Sequence, residues 1–82
     1  MDITHLKYFV AIVESDYNLS SASKKLHVSQ PALTQYLRKF EDEEGIELFS
    51  RISGRLNGLT TSGENFYSNA KIIIEQYDTM FK

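Results

Sequence analysis

Ser20-Ser21-Ala22-Ser23-Lys24-Lys25-Leu26-His27-Val28-Ser29-Gln30-Pro31-Ala32-Leu33-Thr34-Gln35-Tyr36-Leu37 reads as a short helix, a tight turn and a second helix. Ser20 is the expected N-cap of the short helix, about 20–26, because its hydroxyl can accept a free first-turn amide hydrogen. Ala22 and Leu26 then face inward. Ser29 followed by Pro31 marks the next start: a capping hydroxyl, then a proline in the first turn, where its missing N–H costs little. This longer helix runs to about Glu44, and Gly45 is its expected left-handed C-cap. Two helices so spaced have the layout of a helix-turn-helix, here about residues 18–37, which lays its second helix in the major groove of DNA.

The longer helix has two distinct faces. Leu33, Tyr36, Leu37 and Phe40 fall at i, i+3, i+4 and i+7 and form a core stripe. Pro31, Thr34, Gln35 and Arg38 repeat that spacing on another face. Glutamine can bond adenine through two hydrogen bonds, threonine offers a hydroxyl or a methyl, and arginine reaches a guanine or a phosphate. A plain solvated helix face would carry the same residue types.

Outside this stretch, Ile3, Leu6, Phe9, Val10 and Val13 predict an amphipathic helix over residues 2–15. Ser53-Gly54 reads as a tight turn between extended pieces 47–52 and 55–59, a candidate wing. Thr61-Ser62-Gly63-Glu64 fits a capping box that opens a helix running to residue 82. Along that helix Phe66, Ala70, Ile73, Tyr77 and Met80 alternate spacings of four and three, and Tyr67, Ile74 and Phe81 form a second row. One helix cannot bury both rows on its own domain, so Phe66, Ala70, Ile73, Ile74, Tyr77 and Phe81 are the expected dimer contacts. An ordinary helix folded back on its own core is the alternative.

The chain has 82 residues, 41% hydrophobic and 24% charged, which suits one small folded domain. It has no cysteine, which excludes a disulfide framework and thiolate metal ligands and suits a cytoplasmic protein. The N-terminus lacks a secretory pattern, and the longest aliphatic run, Ile72-Ile73-Ile74, is far too short to span a membrane. The net charge of −2 conceals segregation. Residues 17–40 carry Lys24, Lys25, Arg38 and Lys39 and no acid; residues 48–63 carry Arg51 and Arg55 and no acid. Between them lie Glu41, Asp42, Glu43, Glu44 and Glu47, read as a solvated helix end. Salt screens charges beyond roughly 10 Å, so two basic stretches folded onto one side can attract phosphate despite the negative total. Catalysis is not expected: there is no nucleophilic cysteine or phosphate-binding glycine loop, and His5 and His27 lack metal-ligand spacing. No cofactor or metal is expected. The rival to DNA binding is a winged helix that docks on another protein, which the basic segments beside Gln30–Gln35 argue against.

Met1-Asp2-Ile3, Leu6-Lys7-Tyr8-Phe9-Val10-Ala11, the run from Ala22 to Thr34, Leu48-Phe49-Ser50-Arg51 and Leu59-Thr60-Thr61-Ser62-Gly63 together resemble the N-terminal DNA-binding domain of LysR-type transcriptional regulators. The resemblance covers residues 1–63. It implies a mainly α winged helix-turn-helix, a three-helix core plus a short β-hairpin wing, over residues 1–59, followed by a linker helix, 60–82, that pairs two protomers. It also implies sequence-specific binding to double-stranded DNA at an interrupted near-palindrome, with the recognition helix in the major groove and the wing at the minor groove. Carried over residue by residue, Gln30, Pro31, Thr34 and Gln35 would face base edges. Arg38, Arg51, Ser20 and Ser21 would hold phosphates, and Arg55 would sit in the wing. Ser23 stands where alanine is typical, so an added hydroxyl bond is expected there. Gln35 stands where arginine is common, so guanine reading is not implied at that position. A small-molecule effector would act only through a downstream domain beyond residue 82.

Overall fold

The computed structural model describes residues 2–82; Met1, the first residue of the expected domain 1–59, lies outside the described residues. Four helices and one antiparallel hairpin follow in the order α1 Ile3–Glu14, α2 Leu19–Leu26, α3 Gln30–Glu44, β1 Phe49–Ile52, β2 Arg55–Leu59 and α4 Thr61–Thr79. The fold is a winged helix-turn-helix with a long fourth helix, as expected.

Helix α1 begins at a reciprocal cap. The Asp2 carboxylate accepts from the His5 amide, and His5 Nδ1 accepts from the Asp2 amide. The His5 amide hydrogen bond holds the Asp2 carboxyl below its ordinary pKa. Leu6, Phe9 and Ile12 then face the core, which Ala22 of α2 and Leu33, Leu37 and Phe40 of α3 complete from the other side. The aromatic rings of Phe9, Phe49, Phe66 and Phe40 meet at 5.1–5.4 Å, tilted or edge-on, the arrangement their quadrupoles favour.

The start of α2 differs from the sequence expectation. Asp16 and Tyr17 both adopt left-handed backbone, at φ 60° and 64°. The chain thereby turns early, and Asn18, not Ser20, caps the helix, its side-chain oxygen accepting from the Ser21 amide at 3.0 Å. Asparagine caps as well as serine, so the earlier residue takes the role once the turn is made. Ser23 is buried, and its hydroxyl donates to the Ser20 carbonyl at 2.8 Å, the bond expected of a serine there.

Ser29 caps α3 as expected, accepting from the Ala32 amide, and Gly45 closes it at φ 68°. The hairpin turns at Ser53 and Gly54, both with positive φ, as the tightest hairpin turns require. Its register slips between Ser50 and Arg51, where Asn57 is the extra residue; the Ser50 hydroxyl donates to the Asn57 side-chain Oδ1 at 2.9 Å. Strand β1 starts at Phe49 rather than at 47, because the Leu48 amide is taken by the Glu41 side chain of α3.

Helix α4 is capped by Thr60, one residue before the expected box. Thr60 Oγ1 accepts from the Gly63 amide, and the Thr60 amide donates to the Leu48 carbonyl at 3.0 Å. No box forms, since its third helical residue is Gly63, which has no side chain to close it. That glycine is imposed by packing: a Cβ at 63 would stand 2.0 Å from the Leu48 carbonyl oxygen. The helix then runs antiparallel to α1, with Lys71 beside Glu14 and Lys7 beside Asp78 at 3.6 and 3.7 Å. Its α-helical stretch ends at Thr79, and the chain continues as a turn in which the Phe81 and Lys82 amides donate to the Asp78 and Thr79 carbonyls.

This packing engages two of the six expected dimer contacts, Phe66 and Ala70, within the chain itself. Ala70 is buried in the chain's own core, and Phe66 packs against Phe9 and Phe40. Ile74 and Tyr77 are half-buried on the same side. Phe81, in the turn after the helix, sets its ring tilted against that of Tyr77 at 5.2 Å. Of the six, Ile73 and Phe81 remain exposed, at 46% and 73%, joined by Ile72 and Met80 at 59% and 76%. A four-three pattern on a 3.6-residue helix fixes a stripe only to within a residue, and the wall offered by α1 selected the row centred on Phe66, Ala70 and Ile74.

Candidate nucleic-acid interface

A groove of about 580 Å³ opens between the start of α2, the exposed flank of α3 and the inner side of the hairpin. Six of the residues expected to touch DNA line it together: Ser20, Gln30, Thr34, Arg38, Arg51 and Arg55. Gln30, Thr34 and Arg38 follow one another at i, i+4 and i+8 on α3, which sets them in a single row. Leu37 forms the floor beside them and is buried. The exposed first turn of α3, capped by Ser29, lies at the Gln30 end of this row, where helix amides favour anions.

Three expected contacts lie outside the groove. Ser21, Pro31 and Gln35 are exposed on neighbouring turns but do not line it. For α3 the reason is angular: Pro31 and Gln35 each sit one residue, about 100°, round from Gln30 and Thr34. They form an outer, more convex face of the same helix. Lys24 and Lys25 are likewise exposed and outside it, in the last turn of α2.

The electrostatics are less simple than two acid-free segments suggest. The left-handed turn at Asp16 and Tyr17 brings an acid to one rim of the groove, immediately before the first acid-free stretch. Lys39 is engaged by Glu43 at 4.0 Å on the side of α3. Among the described residues, Arg38 and Arg55 have no ion-pair partner, whereas Arg51 is held by Glu41 at 3.1 Å.

Glu41 is the residue that sequence reading missed. It belongs to the acidic block expected to be a solvated helix end, yet its side chain is only 9% exposed. Its Oε2 accepts from the Leu48 amide at 2.6 Å and from the Phe49 amide at 3.4 Å, and its Oε1 accepts from Arg51. The available signal was spacing: Glu41 continues the row Gln30, Thr34, Arg38 by three further residues. Tyr17 was also missed; it lines the groove and sets its ring edge-on to Phe49, 6.2 Å away.

Residues 3–64 match the family model described as bacterial regulatory helix-turn-helix protein, lysR family. The chain is 40% identical over 78 residues to the HTH-type transcriptional regulator BsdA of Bacillus subtilis, covering 95% of this chain and 27% of that protein. It is 40% identical over 76 residues to the Hca operon transcriptional activator HcaR of Escherichia coli, covering 93% and 25%. The chain thus spans about a quarter of the length of these relatives. Among solved structures it is similar to the BenM DNA-binding domain in complex with benA site 1 DNA, at TM-score 0.90 and 36% identity over 99% of this chain and 89% of that one. It also matches the CbnR DNA-binding domain in its DNA complex, at TM-score 0.86 and 35% identity over 98% and 90%. With sequence, family model and three-dimensional form in agreement, the chain belongs to the lysR family of bacterial regulatory helix-turn-helix proteins.

Proposed function

We propose that the chain binds double-stranded DNA in a sequence-specific manner, with α3 in the major groove and the hairpin at the neighbouring minor groove. One observation carries this reading: Ser20, Gln30, Thr34, Arg38, Arg51 and Arg55, from three separate elements, converge on one concave face. Gln30 and Thr34 are placed to read base edges, with Pro31 and Gln35 on the outer flank of the same helix. Arg38, Arg51, Ser20 and Ser21 are assigned to phosphates, which position the helix without reading sequence. Arg55 is assigned to the minor groove through the wing. The likeness to DNA-binding domains solved on DNA supports DNA as the partner.

The same reading extends to a homodimer on an interrupted near-palindrome. Ile72, Ile73 and Met80 leave an apolar stripe on the outer side of α4, and two copies joined there would present two recognition helices. In this reading residues 1–59 are the DNA-binding unit and 60–82 the pairing helix. On this reading the protein acts in the cytoplasm, as a regulator rather than an enzyme. Any small-molecule effector would act through a further domain of the kind that makes the relatives longer.

Selection from a random DNA pool, followed by titration at several salt concentrations, tests the reading. Three phosphate contacts per protomer predict a slope of log K against log salt of roughly −5 for a dimer. An enriched pair of half-sites with that slope supports the proposal. No enrichment and a slope near zero would leave the fold a protein-docking module.

A further inference from the structure

We infer that Glu41 is a positioning residue for DNA binding: it fixes the Arg51 guanidinium at the wall of the groove and ties the wing to the recognition helix. This rests on the DNA-binding reading above.

A carboxylate as little exposed as that of Glu41 must be matched by donors, or it would leave the interior or lose its charge. Glu41 has three: the Leu48 and Phe49 amides on one oxygen and Arg51 on the other. The left-handed turn at Gly45 makes this possible, because it brings the chain back past the end of α3 seven residues after Glu41. The Ile46 amide also donates to the Glu41 carbonyl, at 3.2 Å, so backbone and side chain of one residue hold the whole reversal.

Strand alternation does the rest. Phe49 and Arg51 lie two apart on β1 and so point to the same side, Phe49 into the core and Arg51 toward α3. Arg51 keeps 34% of its side chain exposed and lines the groove beside Arg38 and Arg55. One nitrogen of its planar fork, Nη2, is spent on Glu41 Oε1 at 3.1 Å, and the rest of the fork is left for a phosphate. A fixed fork binds with less loss of side-chain freedom than a free one. Arg51 therefore contributes orientation, while Arg38 and Arg55, unpaired among the described residues, contribute net charge.

The test is a binding cycle on the half-site pair selected by the unaltered chain, using Glu41→Gln, Arg51→Ala and the double variant. Glutamine keeps an acceptor for the Leu48 amide but releases the arginine. Glu41→Gln should stay folded by thermal melting and weaken DNA binding roughly tenfold, the size of coupling seen for residues in one network. In the Arg51→Ala background the same change should have little further effect. Equal losses in both backgrounds would overturn the inference and leave Glu41 a brace of the fold. Tighter binding with a steeper salt slope would overturn it too, showing that Glu41 merely screens Arg51. Should Glu41→Gln fail to fold, Arg51→Lys decides: lysine keeps the charge without the fork, so binding as weak as that of Arg51→Ala supports the inference and undiminished binding overturns it. An unaltered chain that selects no DNA would instead sink the DNA-binding reading itself.

Discussion

Two stripes on two long helices carry the functional proposals, and they are held in opposite ways. Gln30, Thr34 and Arg38 on α3 lie in a concave wall built by α2 and the hairpin. Ile72, Ile73 and Met80 lie on the bare outer side of α4. Helix α3 is fastened at both ends, by the Ser29 cap and by Gly45 with Glu41. Helix α4 is fastened at its start, where Thr60 and Gly63 close on Leu48, but its far half rests on half-buried residues and exposed ion pairs. A polar site meant for a stiff duplex needs its shape preset within one chain. An apolar stripe gains its energy only when a second surface covers it.

The sharpest way to break this contrast is at the fastened end of α4. Gly63→Ala drives a methyl into the Leu48 carbonyl, a backbone atom that cannot swing away. We expect a loss of about 3 kcal/mol or more, at the upper end for overpacking. In a domain of this size the melting temperature should fall by more than roughly 10 °C. An unchanged melting curve would show that the wing root is looser than the contrast requires.

The outer stripe should behave in the opposite way. Ile73→Glu places a charge on a residue that is 46% exposed, so the melting temperature of the dilute monomer should barely move. Binding to a paired half-site should nevertheless fall about 100-fold, the avidity of the second half-site being lost. Sedimentation at rising concentration would separate the two effects. If the variant still dimerises, the stripe is not the contact.

Within the groove, replacing a proposed base reader should cost less and act selectively. Gln30→Ala is expected to cost about 1–2 kcal/mol on the selected half-site and to relax preference at one or two base pairs. Gln35→Ala tests the outer flank in the same assay. If Gln35 alone relaxes preference, α3 is rolled toward its convex face on DNA. Arg38→Ala should weaken all sequences alike and make the salt slope shallower by about 0.9 per protomer.

The smallest effect belongs to the far half of α4. Lys7→Ala removes the ion pair with Asp78, whose members are 43% and 56% exposed, and should cost under about 1 kcal/mol. Half-site spacing preference is the more sensitive readout, since this contact bears on the angle between α4 and α1. A loss as large as that of Gly63→Ala would erase the distinction between the two ends of the helix.

Elements with a strong local cause are legible in the amino-acid sequence. Ser29, Pro31 and Gly45 bound α3 because caps and turn residues act within a few positions. The hairpin follows from Ser53-Gly54, whose positive φ values the turn demands. Sequence and structure differ where two local signals compete. Asn18 and Ser20 can both cap, and the left-handed pair at Asp16 and Tyr17 decides between them. Thr60 and Thr61 can both open α4, and the Leu48 carbonyl decides in favour of Thr60.

By itself, then, the sequence determined the order and kind of the elements, the polar row of α3 and the excess of apolar residues on α4, because periodicity and capping are properties of neighbouring residues. Only the tertiary structure decided which row of α4 is inward, since that depends on the wall α1 presents. Only it decided that Glu41 is a buried anchor rather than a solvated acid, since its three donors come from residues seven to ten positions away, returned to it by the turn at Gly45.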